Sequence, residues 1–433
     1  MRIAIVDGYM SGRHLTRELH DRGAECFHIR SRPRLPRTVT ASFAPRLYEK
    51  DFGYIDDFAR LVATLRALRV RRVVAGAETG VLLAENLASA LGLPGNPPLS
   101  SALRRSKPLM SAALRRAGLA AAADTVIESP DEAVRWCEEQ GFTEVVVKPV
   151  DSSASDNVWF CRDATEVADA CRTVLTSPNF FGDANRRALV QERLTGDEFY
   201  VNTLSEDGVH SVTESWQYTK RTVWGRFPVY DYEEPSDPAD PRTRALHAYV
   251  RAALTALGVR HGAAHTEVML TARGPVLIEA GARLGGGVLP QVTARHTGAS
   301  HAGLLADLIL GSGTPRGYEP TLRWPGHVRY VSLINQADGV VRSAHWERLV
   351  SALPTADTLV PLVRPGERLR PTRDLATSPG YLYLTGPDRA AVERDYATLR
   401  AWEASGLYTV PVPAVTAGML RPLPEIGGLA NAS

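Results

Sequence analysis

The sequence predicts an α/β chain that opens on a parallel sheet and continues into mixed α+β units. Three observations predict it. Strands and helices alternate through the first 91 residues, a Pro and Gly cluster at 93–99 breaks that alternation, and residues 265–280 carry the period-2 pattern of an antiparallel hairpin. The chain has 433 residues, about two to three times the usual domain size, so it divides. The breaks place units at 1–97, 98–187, 188–326 and 327–433.

In order, residues 2–7 read as a buried strand, Gly8 and Gly12 as a turn, and 14–22 as a helix ending at Gly23. A helix at 58–69, a strand at 70–75 and a helix at 79–91 complete a Rossmann-like β-α unit with a parallel sheet covered on both faces. No G-x-G-x-x-G is present, which argues against a dinucleotide site there. Helical stretches at 100–117 and 130–140 follow, then strands at 144–148 and 158–161 around a polar loop at 151–157. A strand at 188–194 opens the third unit, which includes a polar and aromatic stretch at 214–241 that reads as irregular. The last unit starts with a strand at 327–334 and has turns at Pro365-Gly366 and Pro379-Gly380; the tail at 422–433 is expected to be mobile.

The composition narrows the partners. With 50 Lys and Arg against 48 Asp and Glu, the formal charge of +2 provides no broad field for a nucleic acid or an anionic membrane. No run approaches the roughly 18–20 apolar residues of a membrane span, and four cysteines without a C-x-x-C pair make no disulfide framework. The expected location is therefore the cytoplasm. Only four of the 50 cations are lysines: Lys50, Lys107, Lys148 and Lys220. Where Arg has replaced Lys as the generic cation, the surviving lysines should mark places that need a compact ammonium.

The chemistry concentrates in two places. Lys148 ends the apolar run Val145-Val-Val-Lys-Pro149, and the loop after it carries Ser152, Ser153 and Ser155, whose hydroxyls and backbone N–H groups suit phosphate oxygens. The loop also reads as ordinary solvent structure, and no P-loop motif is present. Further on, a hairpin centred on Arg273 sets Glu267 opposite Glu279 on one surface and Val268 opposite Ile278 on the other. Directly opposed carboxylates, with β-carbons roughly 4.5–5.5 Å apart, repel unless a cation lies between them. An all-oxygen pair without Cys or His at zinc spacing points to Mg²⁺ or Mn²⁺. Arg283 and the glycine run 285–287 follow, an arginine fork suited to a carboxylate or oxyanion beside backbone that allows close approach. The 216–227 stretch, with Lys220 and Arg226 among aromatics, reads either as a wall over this site or as a surface excursion; His265, on the face of Glu267, and His296 and His301 read either as substrate contacts or, the preferred reading, as hydrogen-bonded structural histidines.

Taken together, Ser106-Lys107, Val147-Lys148-Pro149 with its Ser-rich loop, Gln191-Glu-Arg-Leu-Thr-Gly-Asp-Glu198, His265-Thr-Glu267 and Ile278-Glu-Ala-Gly-Ala-Arg283 resemble the ATP-grasp superfamily over residues 100–326. The flanking regions resemble those of carboxylate–amine ligases, especially the bacterial L-amino-acid ligases that form dipeptides. The resemblance implies an ATP-grasp fold between a pre-ATP-grasp domain and a C-terminal α+β region. It implies ATP and Mg²⁺ (or Mn²⁺) as cofactors, small-molecule carboxylate and amine substrates, and a homodimer as the assembly. By residue, it implies Lys107 and Lys148 on the phosphates, Glu192, Arg193 and Leu194 at the adenine, Glu198 on the ribose, Glu267 and Glu279 on magnesium, and Arg283 on the acyl-phosphate. Lys220, in the covering stretch, takes a catalytic role at the γ-phosphate in this reading. One departure is Gly281, where many members carry an Asn that binds magnesium. The alternatives within the same site chemistry are a bicarbonate-using carboxylase, a phosphotransferase acting on an alcohol, and a nucleotide-binding module without turnover.

Overall fold

A computed structural model describes residues 1–151, 157–179, 182–223, 227–286, 289–313 and 324–410. Ser152, Ser153, Ser155, Arg226, Gly287 and the 422–433 tail lie outside them. The first sheet is parallel, in the order Lys50–Tyr54, Glu25–Arg30, Arg2–Val6, Arg72–Ala75. Helices Ser11–Asp21, Phe58–Ala67 and Val81–Ala90 accompany it. Gly12 opens the first helix where a β-carbon would stand 2.5 Å from the Gly76 carbonyl oxygen. This glycine serves close backbone packing rather than a phosphate. Two strands of this sheet escape the sequence pattern, because Glu25–Arg30 mixes polar and apolar residues and Lys50–Tyr54 is an edge strand with little burial.

A second, antiparallel sheet runs Asp124–Ile127, Ala188–Glu192, Val145–Pro149, Trp159–Cys161. Helices Pro130–Gln140 and Ala164–Thr176 bury Ala133, Cys137, Val167, Cys171 and Val174 against it. Lys148 thus stands on an inner strand of an antiparallel sheet, not at the carboxyl edge of a parallel one. Its alkyl stem is enclosed on a strand whose five residues are all buried.

The third sheet has eight antiparallel strands: Gly274–Gly281, Gly262–Thr271, Asp197–Glu206, Val209–Val223, Phe227–Pro235, His327–Ser332, Gly380–Gly386, Ala356–Pro361. Helix Pro241–Ala256 covers one face, with Leu246, Val250 and Leu254 packed on Val201, Val212, Val268 and Leu277. The sheet runs on through residue 327, so units 188–326 and 327–433 share one set of hydrogen bonds. The 214–241 stretch is not irregular: most of it forms a long hairpin, Val209–Val223 with Phe227–Pro235. Bulges between Val212 and Glu214 and between Thr219 and Lys220 shift its side-chain alternation and hide the strand period.

The parallel domain is fixed to this body by buried polar contacts. Arg104 donates to Glu85 at 2.6 and 2.8 Å and to the Leu257 carbonyl at 2.9 Å. Asn96 Oδ1 accepts from the backbone N–H of Arg260 at 2.7 Å and of His261 at 2.9 Å. Arg104 is 1 % exposed, and a charge so enclosed is tolerable only with its partners in place. The N-terminal domain therefore presents its loops to the central sheet in a defined position.

Candidate active site

A cavity of about 520 Å³ lies between the large sheet, the Lys148 strand and the carboxyl end of the parallel sheet. One rung of the large sheet builds its floor. Met269, Glu198, Tyr218, Glu233 and Tyr330 stand opposite one another on five successive strands, and each lines the cavity. A neighbouring rung sets Glu279 against Glu267, as expected. The expected partner of Val268 is corrected: Val268 faces Leu277, and Ile278 is the extra residue of a bulge that turns toward the cavity. The turn is also one residue tighter than centring on Arg273 implies, since Thr271 pairs with Gly274. Bulge and tighter turn offset each other, which is why the glutamates still meet.

Cations surround these carboxylates. Lys107 Nζ, at the start of helix Lys107–Arg116, is 3.2 Å from Glu279 Oε2. Lys148 Nζ donates to Gln191 Oε1 at 2.9 Å. Burial first and the Lys107 charge second lower the Lys148 ammonium to about 8, against the pull of Glu279 and Glu267. Burial alone would raise Glu267, but the hydrogen bond and charge of His265, with Lys220 and Arg283, hold it below the usual carboxylate range. His265 is itself placed by its Nδ1, 2.8 Å from Asn202 Oδ1, while Asn202 donates to Glu214 at 2.7 Å. His301 contacts the Thr203 carbonyl and His296 contacts Asp357, both structural roles as expected.

Other expected residues are placed as follows. Glu192 and Leu194 line the cavity, but the Arg193 side chain turns to Glu144, 3.0 Å away, and lies over the Phe160 ring. Lys220 reaches the cavity, where it is paired with Glu198 at 2.7 and 2.8 Å and lies over the Tyr230 ring. The structure thus sets Lys220 on the carboxylate expected at the ribose. Arg283 Nε donates to Glu78 Oε2 at 2.9 Å. Glu78, from the N-terminal domain, also accepts from Arg105 at 2.8 Å, and Arg105 reaches Asp151 at 2.8 Å.

Glu78, Arg105 and Glu233 carry no signal in the sequence. Glu78 is separated from Arg283 by 205 residues, and no local pattern marks such a contact. Glu233 is buried, and its Oε2 has no hydrogen-bond partner among the described residues. Burial pushes its carboxyl up to about 8 against the opposing effect of the nearby Tyr200 hydroxyl, and the charges of Glu267, Glu214 and Glu198 add to the rise.

Residues 105–225 match the family model of the phosphoribosylglycinamide synthetase ATP-grasp (A) domain. The chain is similar to dapdiamide A synthase of Enterobacter agglomerans, 32% identical over 414 residues, covering 93% of this chain and 96% of that one. A shorter likeness, 30% identical over 161 residues and 36% of this chain, is to phosphoribosylamine–glycine ligase of Xanthomonas axonopodis pv. citri, covering 37% of that protein. Among solved structures, an L-amino acid ligase from Bacillus licheniformis superposes with a TM-score of 0.71 at 21% identity, over 92% of this chain and 97% of that one. An ADP complex of N5-carboxyaminoimidazole ribonucleotide synthetase superposes at 0.67 and 14% identity over 93% and 97%, a likeness of fold. No helix among the described residues is long and apolar enough to cross a membrane. The chain belongs to the ATP-grasp superfamily, in which it is an ATP-dependent carboxylate–amine ligase.

Proposed function

We propose that the enzyme joins the carboxylate of one amino acid to the amine of a second through an acyl-phosphate, releasing ADP and phosphate. The observation that carries this reading is the convergence of Glu267, Glu279, Lys107, Lys148 and Arg283 on one cavity. The amino-acid class follows from Glu233. A buried carboxyl without a cationic partner among the described residues, on the cavity floor beside Tyr218 and Tyr330, suits the ammonium group of a substrate.

The donor set fits a hard divalent cation. Glu267 and Glu279 are two opposed carboxylates, and no group of three or more His, Cys, Asp or Glu among the described residues forms a complete metal cage. Such a pair suits Mg²⁺ or Mn²⁺ that keeps water and takes phosphate oxygens as its other ligands. Bound there, the ion would screen the charge of the transferring phosphoryl group. In this reading Lys107 and Lys148, both on the cavity, hold the phosphates. Glu192 and Leu194 flank the adenine position, and Glu198, with Lys220 upon it, stands for the ribose.

The substrate carboxylate attacks the γ-phosphorus, and the bond to the ADP oxygen breaks. The amine of the second substrate then attacks the acyl carbon. Arg283 stabilises the oxyanion, and phosphate leaves with one former carboxylate oxygen. Incubation with MgATP and pairs of amino acids, followed by mass spectrometry and phosphate release, tests the proposal. The expected result is a condensed product equimolar with ADP and phosphate. Stimulation by bicarbonate without amino acids would instead select a carboxylase, and a stable phosphate ester without free phosphate a phosphotransferase.

A further inference from the structure

The departure at Gly281 and the unexpected carboxylate Glu78 are two sides of one arrangement. A β-carbon built on Gly281 would stand 2.7 Å from Glu78 Oε2 and 3.3 Å from Arg283 Cζ. The Gly281 backbone lies outside the left-handed region, so a side chain there would meet occupied space and not a conformational barrier. What fills the space is the end of a flexible side chain from another domain. The Glu78 carboxylate bridges Arg283 Nε at 2.9 Å and Arg105 at 2.8 Å, and its backbone carbonyl accepts from the same Arg105 at 2.9 Å. Burial alone would raise its carboxyl, but Arg283 and Arg105 hold it below the usual range.

The contact is anchored at both ends. The neighbouring Thr79 donates to Asp7 at the end of the first strand at 2.5 Å, and the Arg104–Glu85 and Asn96 contacts fix that domain to the large sheet. Arg283 in turn donates through Nη1 to the Leu284 carbonyl at 3.1 Å. With Nε held by Glu78, the guanidinium plane is set before any substrate enters.

We infer that Glu78 is a positioning residue for ligation: the missing side chain at 281 admits it, and it orients Arg283 from across the domain boundary. The inference rests on the proposed ligase reaction, in which Arg283 meets the acyl-phosphate. An arginine displaced by about 1 Å from productive geometry costs on the order of 10²-fold in rate.

The test is a double-mutant cycle of Glu78→Ala and Gly281→Ala on the full chain. Gly281→Ala leaves Glu78, Arg105 and Arg283 chemically intact; its β-carbon overlaps the end of the Glu78 side chain at 2.7 Å and crowds the Arg283 guanidinium less tightly at 3.3 Å. Each single variant is expected to lower kcat for condensation roughly 10²-fold, with the Kd for MgADP changed less than about threefold. The double variant should lose no more than the worse single one, because both break the same contact. A second readout is independent of turnover: the Arg283 Nε–H signal in nitrogen-15 NMR, assigned with Arg283→Lys, should lose its hydrogen-bonded shift in both single variants. Full activity in Gly281→Ala, multiplicative losses in the double variant, or an unmoved Nε–H signal would each overturn the inference. So would losses that fall equally on MgADP affinity, since they would mark a general disturbance of the site. Absence of condensed product from the parent would sink the ligase reading alone, and the NMR result would still decide the contact.

Discussion

Two hairpins of the same sheet line one side of the cavity, and they differ in what their sequences reveal. The Gly262–Thr271 and Gly274–Gly281 pair reads clearly, because an apolar face packed on helix Pro241–Ala256 alternates with the carboxylates. The Val209–Val223 and Phe227–Pro235 pair does not. It buries Glu214 and Trp216, puts Tyr218, Tyr230 and Glu233 on the cavity, and its long strand shifts register once against its hairpin partner and once against Asp197–Glu206. A strand whose buried face is polar loses the hydrophobic signal by which strands are recognised. The lesson is that the wall proposed for substrate is harder to see than the wall proposed for metal, because its buried face carries polar groups at irregular spacing.

Substitutions on each hairpin separate these roles. On the first, Glu279→Gln removes one of two opposed carboxylates and should lower ligation by about 10²–10³-fold, comparable to losing a charge-stabilising donor. Titration with Mn²⁺ by electron paramagnetic resonance should show weakened metal binding in step; unchanged Mn²⁺ affinity would remove Glu279 from the metal site. On the second, Glu233→Gln keeps the shape but cannot ionise to meet an ammonium group. It should weaken binding of the ammonium-bearing substrate by about 10–100-fold, the worth of a hydrogen bond to a charged group. KM for one amino acid should rise while nucleotide affinity holds; a loss confined to nucleotide would contradict the assignment.

The corrected register offers a stability test. Val268 is fully buried against Leu277, whereas Ile278 bulges toward the cavity. Val268→Ala should cost about 2 kcal/mol in urea unfolding, and Ile278→Ala about 1 kcal/mol or less, since little core is vacated. The reverse order would restore the Val268–Ile278 pairing.

The smallest effect concerns pH. Burial and Lys107 lower Lys148 to about 8 in the empty site, while bound phosphates favour its charged form. Nucleotide binding above pH 8 must therefore take up a proton. The Kd for MgADP should be flat below that pH and rise by at most about tenfold per unit above it. Lys148→Met should flatten the profile, and a profile identical to the parent's would exclude Lys148 as its source.

Much of the site was legible because its motifs are local. Lys107, Lys148, Glu267, Glu279 and Arg283 each belong to a short run, and they reach one cavity. Three of the four lysines line that cavity, as the scarcity of lysine suggested. The rest depends on distance or on concealment. Glu78 meets Arg283 across a domain boundary, and Glu233 lies on a strand without a readable period. The parallel sheet was legible in its central strands and not in Glu25–Arg30 or Lys50–Tyr54, whose polar residues blur the pattern.

The central claim is that a carboxylate oxygen passes to phosphate through an acyl-phosphate. An amino acid labelled with ¹⁸O in its carboxylate, turned over with MgATP and an amine partner, tests it directly. The account predicts one ¹⁸O in each inorganic phosphate released and one fewer in the condensed product than in the starting carboxylate. Phosphate free of label, with ADP formed at the same rate, would contradict it.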